Sequence, residues 1–96
     1  MKPETIVWHK AKVHEKYIIE LRILDVGKSK KYPKGFKYSL ICIDVKTQNK
    51  ILFDNHYPKG GHIHINNEEI PYTFISNEQL INDFKNLILK HFGVKL

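Results

Sequence analysis

The two-residue period of apolar side chains in residues 17–26 predicts a β-strand with one buried face. The apolar residues of that face are Tyr17, Ile19, Leu21 and Ile23. β-Branched and aromatic residues over 5–13 predict a preceding strand. The three residues 14–16 between these segments are few enough for a hairpin turn, although they include neither Gly nor Asn. The N-terminal quarter of the chain therefore predicts an antiparallel pair of strands.

Four further segments, separated by turn residues, predict the rest of a sheet. Residues 38–45 and 50–55 form a predicted hairpin with a polar turn between them. After a loop that contains Pro and Gly, residues 62–65 predict a short strand. Residues 69–74 predict an edge strand, because Pro71 has no amide hydrogen to donate to a central ladder.

The C-terminal segment has the three- and four-residue spacing of an amphipathic helix. Ser76 and Gln79 form a capping-box pattern at its start, and Gly93 is placed to end it. The apolar stripe contains Leu80, Ile81, Phe84, Leu87, Ile88 and Phe92. The predicted fold class is α+β, an antiparallel meander of five to six strands with this one C-terminal helix packed on one face. The second face of the sheet is then left to solvent or to a partner.

Length and composition narrow the class of protein further. Ninety-six residues suit one domain, so we expect residues 1–96 to fold as a single unit. No apolar run approaches the roughly 18 residues needed to cross a bilayer, and no signal-peptide stretch is present. The one cysteine, Cys42, falls in a predicted buried strand, as expected in a reducing compartment. We therefore expect a cytoplasmic protein with no membrane partner. The large aromatic side chains expected in the core or in an interface are Trp8, Phe53, Tyr72 and Phe74.

The positive charge is concentrated in the first part of the chain. The formal net charge is +6, and residues 1–37, with ten basic and four acidic side chains, account for all of it. The densest part is a lysine-rich segment with two interleaved aromatics, and its lysines are Lys28, Lys30, Lys31, Lys34 and Lys37. Lysines bind phosphates and aromatics stack on unpaired bases, so this segment suits RNA or single-stranded DNA. A solvated loop that only keeps the protein soluble is an equal alternative.

Three of the six histidines lie close together in the sequence and are candidates for chemistry. On a strand, His62 and His64 share one face at a separation of about 6 to 7 Å. Such a pair suits RNA cleavage, with one imidazole as general base and the other as general acid. Asp54 and His56 would orient or assist, and this scheme needs no metal and no cofactor. Two basic side chains would bind the phosphate, namely Arg22 and Lys59.

Two other interpretations of the histidines remain open at this stage. A His-x-His strand plus a third histidine could hold zinc with one open position, which would indicate a metal-dependent phosphoesterase. The spacing is generic, however, and no Cys or Glu is evidently placed to complete a structural site. The histidines could also lie on a solvated sheet face. The protein would then be a non-catalytic module that binds nucleic acid through its lysine-rich segment.

The order of these features resembles a known family. The strand pair ending at 20–23, the lysine-rich segment, the Phe-Asp-Asn-His sequence of 53–56 and the His62-x-His64 pair resemble the TumE toxins of bacterial and archaeal toxin–antitoxin pairs. Relatives often have another histidine where this chain has glycine before the pair. The resemblance implies a growth-inhibiting toxin encoded beside an antitoxin, typically one with a helix-turn-helix. The edge strand 69–74 also permits a homodimer.

Overall fold

Six antiparallel strands form one sheet in chain order, and one helix follows them. The computed structural model describes residues 3–96. The strands are β1 (Glu4–Val13), β2 (Tyr17–Asp25), β3 (Phe36–Asp44), β4 (Lys50–Asp54), β5 (His62–Ile65) and β6 (Glu68–Pro71), and the helix is α1 (Asn77–Phe92). The predicted α+β meander with a C-terminal helix is therefore confirmed. Within residues 3–96, no helix is both long enough and apolar enough to cross a membrane.

The tight turns use left-handed backbone at residues other than glycine. His14 and Glu15 have φ of 54° and 53°, and the Lys16 amide donates to the Val13 carbonyl at 3.1 Å. Two successive positive φ values give the turn a twist that matches the two flanking strands. Asn66, at φ 55°, starts the turn between β5 and β6. The hairpin predicted at 14–16 is thus confirmed, and neither of these two turns contains a glycine.

Two strand boundaries differ from the sequence prediction by two or more residues. β3 begins at Phe36, two residues earlier than predicted, because its first two residues pair with the end of β2, and Asn55 also hydrogen-bonds this segment. The Asn55 amide group donates to the Phe36 carbonyl at 2.8 Å, and its side-chain oxygen accepts from the Tyr38 amide at 2.9 Å. β6 ends at Pro71 instead of residue 74. The chain then turns so that Phe74 stacks on Tyr38, with ring centroids 5.7 Å apart.

The helix begins and ends where its caps predict. The Ser76 hydroxyl accepts from the Gln79 amide at 3.0 Å, and the Gly93 amide donates to the Leu89 carbonyl in the left-handed conformation. Only half of the predicted capping box forms, because the Gln79 side chain donates to Asp83 instead of returning to Ser76. The i,i+4 spacing places those two side chains on one helix face.

The hydrophobic core lies between α1 and one face of the sheet. Helix residues Leu80, Phe84 and Ile88 are fully buried, as the predicted stripe requires. Phe84 packs edge-on against Phe53 of β4, with ring centroids 5.7 Å apart. Cys42 is also fully buried, which confirms its predicted place in the core. Removing one large aromatic from such a core costs about 3–5 kcal/mol.

The opposite side of the sheet, here called the open face, has no second helix over it within residues 3–96. One row of directly paired residues crosses it from edge to edge, and its members are Trp8, Arg22, Ser39, Asp54, His62 and Pro71. Trp8 is 69% exposed, and its indole N–H donates to Glu20 at 3.1 Å. Of the two places expected for Trp8, the core or an interface, the structure excludes the core, because pairing with Arg22 directs the indole away from α1.

Candidate functional site

His62 and His64 lie on the open face, as their spacing predicts. β5 pairs with β4 so that His62 faces Asp54 and His64 faces Leu52, while Ile63 faces the buried Phe53. Directly paired residues in an antiparallel sheet project to the same side, so Asp54 and both histidines share one surface. The two imidazole rings are edge-on at 86°, with centroids 4.6 Å apart. The sheet register therefore places His62, His64 and Asp54 on one surface.

Both ring nitrogens of His62 face an oxygen. Nε2 lies 3.0 Å from Asp54 Oδ1, and Nδ1 lies 2.8 Å from the Gly60 carbonyl. Since a carbonyl oxygen only accepts, Nδ1 has the hydrogen of that bond. Nε2 faces the Asp54 carboxylate, and only 9% of the His62 side chain is exposed. This buried ring is thus held in orientation from both sides. His64 is half-buried and is the more accessible of the two histidines.

The Asp-Asn-His sequence at the end of β4 supports this arrangement with three different contacts. Asp54 faces His62. Asn55 binds the backbone of β3 at two points, which fixes the end of β4 against its neighbour. His56 has an exposed side chain, and its backbone amide donates to Asp54 Oδ1 at 3.2 Å. His56 therefore contacts Asp54 through its backbone amide and not through its imidazole.

The two glycines before His62 have different structural reasons, a close backbone approach at Gly61 and a left-handed backbone at Gly60. A Cβ atom at Gly61 would lie 2.3 Å from the Tyr72 carbonyl oxygen, far inside van der Waals contact. The Gly61 carbonyl also accepts from the Tyr72 amide at 3.0 Å. Gly60 has φ of 78° and provides the carbonyl that orients His62. A histidine at position 61 would not fit this backbone path.

Glu69 is a site residue that the sequence reasoning missed. β6 pairs with β5 so that Glu69 lies directly opposite His64, and its Oε1 is 3.9 Å from His62 Nε2. The donor atoms of His62, His64 and Glu69 all lie within 4.8 Å of one another, a group that could hold a metal ion. The expectation that no Glu completes such a group is wrong. The turn after Ile65 contains two residues, so the strand residues pair outward from it and Glu69 lies opposite His64. This pairing could have been worked out from the sequence.

Lys59, predicted to bind phosphate, is paired with Glu69 in this structure. Its ammonium lies 2.9 and 3.0 Å from the two carboxylate oxygens of Glu69. The hydrogen bond from Lys59 lowers the pKa of Glu69 against the opposing effect of burial, and the nearby charges of Lys59, His62 and His64 lower it further. Both side chains are solvent-accessible, so this ion pair contributes little stability and a substrate phosphate can compete for the lysine.

The predicted basic residues divide into two groups. Lys28, Lys30, Lys31 and Lys34 lie exposed in the basic loop, which spans residues 26–35 between β2 and β3. This loop contacts the loop before β5, since the Tyr57 amide donates to the Tyr32 hydroxyl at 3.4 Å. The Lys31 ammonium also lies 5.3 Å from the centroid of the Tyr57 ring. The basic loop therefore lies next to the loop between β4 and β5 that precedes His62.

The second basic group lies on the sheet. Arg22 and Lys37 line a small cavity of about 110 Å³ with Ser39. Arg22 is exposed and lies three strands from His62 in the same cross-strand row. Strands are about 4.8 Å apart, so about 14 Å separates the two backbones. Arg22 thus lies on the surface that leads to the histidine pair, and its role in binding phosphate stays a prediction.

Fold and site together define a small basic α+β protein with a histidine–carboxylate cluster on an open sheet face and a lysine-bearing loop beside it. The family model described as "Toxin TumE" matches residues 3–91, and the chain belongs to the TumE toxin family. Its role is therefore that of a toxin, and membership implies an antitoxin partner. Comparison with curated proteins and with solved structures found no match.

Proposed function

We propose that this toxin inhibits growth by cleaving RNA in the cytoplasm, with His62 and His64 as an acid–base pair and with no metal ion in the reaction. The observation that supports this most is the position of the two imidazoles. They lie edge-on at 4.6 Å on one surface, and a carboxylate and a carbonyl hold the buried ring between them. General acid–base catalysis by such groups contributes about 10²- to 10⁴-fold to a rate.

The hydrogen bonds support different roles for the two histidines. His64, the accessible ring, takes the proton of a ribose 2′-hydroxyl, and the 2′-oxygen attacks the phosphorus. His62, which in this scheme has a hydrogen on each nitrogen, gives its Nε2 proton to the 5′-oxygen as the bond from phosphorus to that oxygen breaks. The products are a 2′,3′-cyclic phosphate and a 5′-hydroxyl. Asp54 stabilises the imidazolium before this transfer, and Lys59 released from Glu69 would neutralise charge on the phosphate.

The basic loop would hold the RNA backbone, and an antitoxin of helix-turn-helix type would cover the open face. Exposed lysines beside the site provide phosphate affinity that falls with salt. The open face presents exposed Trp8 and Arg22 beyond the histidine pair, a surface of the kind that a partner protein buries. Pairing of two copies along the β6 edge is a separate prediction, for a homodimer.

End-group analysis of RNA cut by the purified protein tests this function. The expected fragments have 5′-hydroxyl and cyclic phosphate ends, and RNA with a 2′-deoxy residue at the cut position resists cleavage. Two separate variants, His64→Ala and His62→Gln, should lose about 10²- to 10⁴-fold of the rate and also lose growth inhibition. His91→Ala, an exposed histidine at the end of α1, is the matched control and should retain both. Full cleavage by folded His64→Ala would reject the acid–base assignment.

The cluster of His62, His64 and Glu69 favours a second candidate, a metal-dependent phosphoesterase. That enzyme would lose activity with a chelator and regain it with zinc or manganese, and Glu69→Gln would abolish its activity. In the metal-independent reaction, the chelator has no effect and Glu69→Gln leaves the rate within severalfold. RNA that binds with salt-sensitive affinity and stays intact would instead identify a non-catalytic binding module.

A further inference from the structure

An aromatic pocket separates the basic loop from the glycine pair before His62. Its volume is about 130 Å³, far below that of a site for a drug-sized ligand. The side walls, which define this aromatic pocket, are Tyr32, Phe36, Tyr72 and Phe74. Phe74 is 5.9 Å from Phe36 by ring centroids, so these walls pack against one another. A pocket of this size and lining suits one flat ring.

Tyr38 gives this pocket a polar group that the fold does not use. Its side chain lines the pocket and is 2% exposed, and its hydroxyl has no hydrogen-bond partner within residues 3–96. The Tyr72 hydroxyl, by contrast, donates to Asp83 at 2.6 Å. Burial, with the charge of Asp54, raises the pKa of Tyr38 to about 12, so the hydroxyl stays neutral and can both donate and accept. A buried polar group without a partner costs stability and requires an explanation.

The entrance to the aromatic pocket is positively charged. Lys31 and Lys34 line it and are both exposed. Aromatic walls that stack on a base, a hydroxyl for its polar edge and cations for the neighbouring phosphate are the combination by which proteins recognise unpaired nucleotides. The same pocket is lined by Gly60, whose carbonyl orients His62. The aromatic walls lie on the α1 side of the sheet, so the pocket adjoins the backbone that precedes the histidine pair at the end of the sheet.

We propose that the aromatic pocket binds one unpaired nucleobase of the RNA substrate, with the Tyr38 hydroxyl on the base edge and Lys31 and Lys34 on the adjacent phosphate. The inference rests on the proposed function for its meaning in catalysis, since a base held next to the glycine pair would select the phosphodiester that reaches the histidine pair. Cleavage would then depend on the base next to the cut. A stacked duplex would be a poor substrate because its bases cannot enter the pocket.

Removal of the Tyr38 hydroxyl tests this inference. We would titrate the four ribonucleoside monophosphates, one at a time, into the native protein and into Tyr38→Phe by calorimetry. At least one nucleotide should bind the native protein, and Tyr38→Phe should weaken it by about 3- to 10-fold, the effect of one hydrogen bond. The melting temperature should not fall, because the hydroxyl has no partner to lose. Tyr17→Phe, a buried tyrosine that does not line this pocket, is the matched control.

A second variant tests the entrance without changing the core. Lys31→Gln combined with Lys34→Gln should weaken the monophosphates and leave binding of the phosphate-free nucleoside unchanged. Binding of no nucleotide by the native protein would overturn the inference, as would equal binding by Tyr38→Phe. A protein that binds nucleotides in this way but leaves RNA intact supports the pocket and rejects the proposed cleavage. A protein that cuts RNA with no base preference and no Tyr38→Phe effect rejects the pocket alone.

Discussion

Asp54 and His62 are direct partners across β4 and β5, and 3.0 Å separates the Asp54 carboxylate from the His62 Nε2 atom. The Gly60 carbonyl holds the other ring nitrogen at 2.8 Å. Because of these two contacts, the His62 ring is buried and held in one orientation, while His64 remains accessible. The carboxylate is therefore the group whose removal changes the chemistry most while leaving the core intact.

Asp54→Asn should lower RNA cleavage by about 100-fold or more, because a neutral amide no longer stabilises the His62 imidazolium. The measurement is the single-turnover cleavage rate of purified protein, with circular dichroism to establish folding. Glu15→Gln, which removes an exposed carboxylate in the β1–β2 turn, is the control and should cut at the native rate. Native activity in Asp54→Asn would show that the pair with His62 has only a structural role.

The lysines of the basic loop should determine how RNA affinity depends on salt. The double variant Lys28→Gln with Lys30→Gln should flatten the plot of log affinity against log salt by about 0.7 for each lysine that contacts a single-stranded phosphate. Lys46→Gln with Lys85→Gln removes the same charge from the β3–β4 turn and from α1. Fluorescence anisotropy of labelled RNA over a salt series measures both slopes. Equal flattening in the two double variants would mean that net charge, not the basic loop, determines binding.

Trp8 should report the binding of an antitoxin to the open face. It is the one tryptophan of the chain and is 69% exposed, so its emission should lie near that of tryptophan in water and should shift little on unfolding. A partner that covers the open face would exclude water from the indole and shift its emission to shorter wavelength. The measurement is a titration with the protein encoded beside the toxin. An unchanged emission at saturation would place the partner on another surface.

Asp44 should give the fold an acid-sensitive component of stability. The carboxylate is buried, which by itself would raise its pKa, but hydrogen bonds from the Lys46 and Thr47 amides and the Lys16 ion pair lower the pKa overall. A lowered folded-state pKa means that this stability is fully present above about pH 4, the unfolded value. It is lost as pH falls through the lower folded value.

Asp44→Asn keeps an oxygen for the turn and removes the charge, so it should be less stable than the native protein at pH 7, and the difference should shrink as pH falls below about 4. Urea unfolding at several pH values measures the difference. A constant difference in unfolding free energy at all pH values would contradict the assignment, since the loss would then come from packing or hydrogen bonding alone.

Several features of the fold were predictable because they depend on neighbours along the chain. The alternation in 17–26, the stripe of α1 and the caps Ser76 and Gly93 each follow from a local period or a local hydrogen bond, and all are present. The common face of His62 and His64 has the same origin, because side chains two apart on a strand project to one side. The strand boundaries at Phe36 and Pro71 were missed, since they depend on pairing with β2 and on the packing of Phe74.

The amino-acid sequence by itself determined the elements, their order and most of the candidate site residues, because these depend on local periodicity and side-chain chemistry. Only the tertiary structure decided which side chains meet. In that structure, Glu69 lies opposite His64, Lys59 forms an ion pair with Glu69, and Trp8 is exposed to solvent. The tertiary structure also left the Tyr38 hydroxyl unpaired within residues 3–96. These relations depend on strand register and on which face of the sheet α1 covers, and both are set by packing between residues distant in the chain.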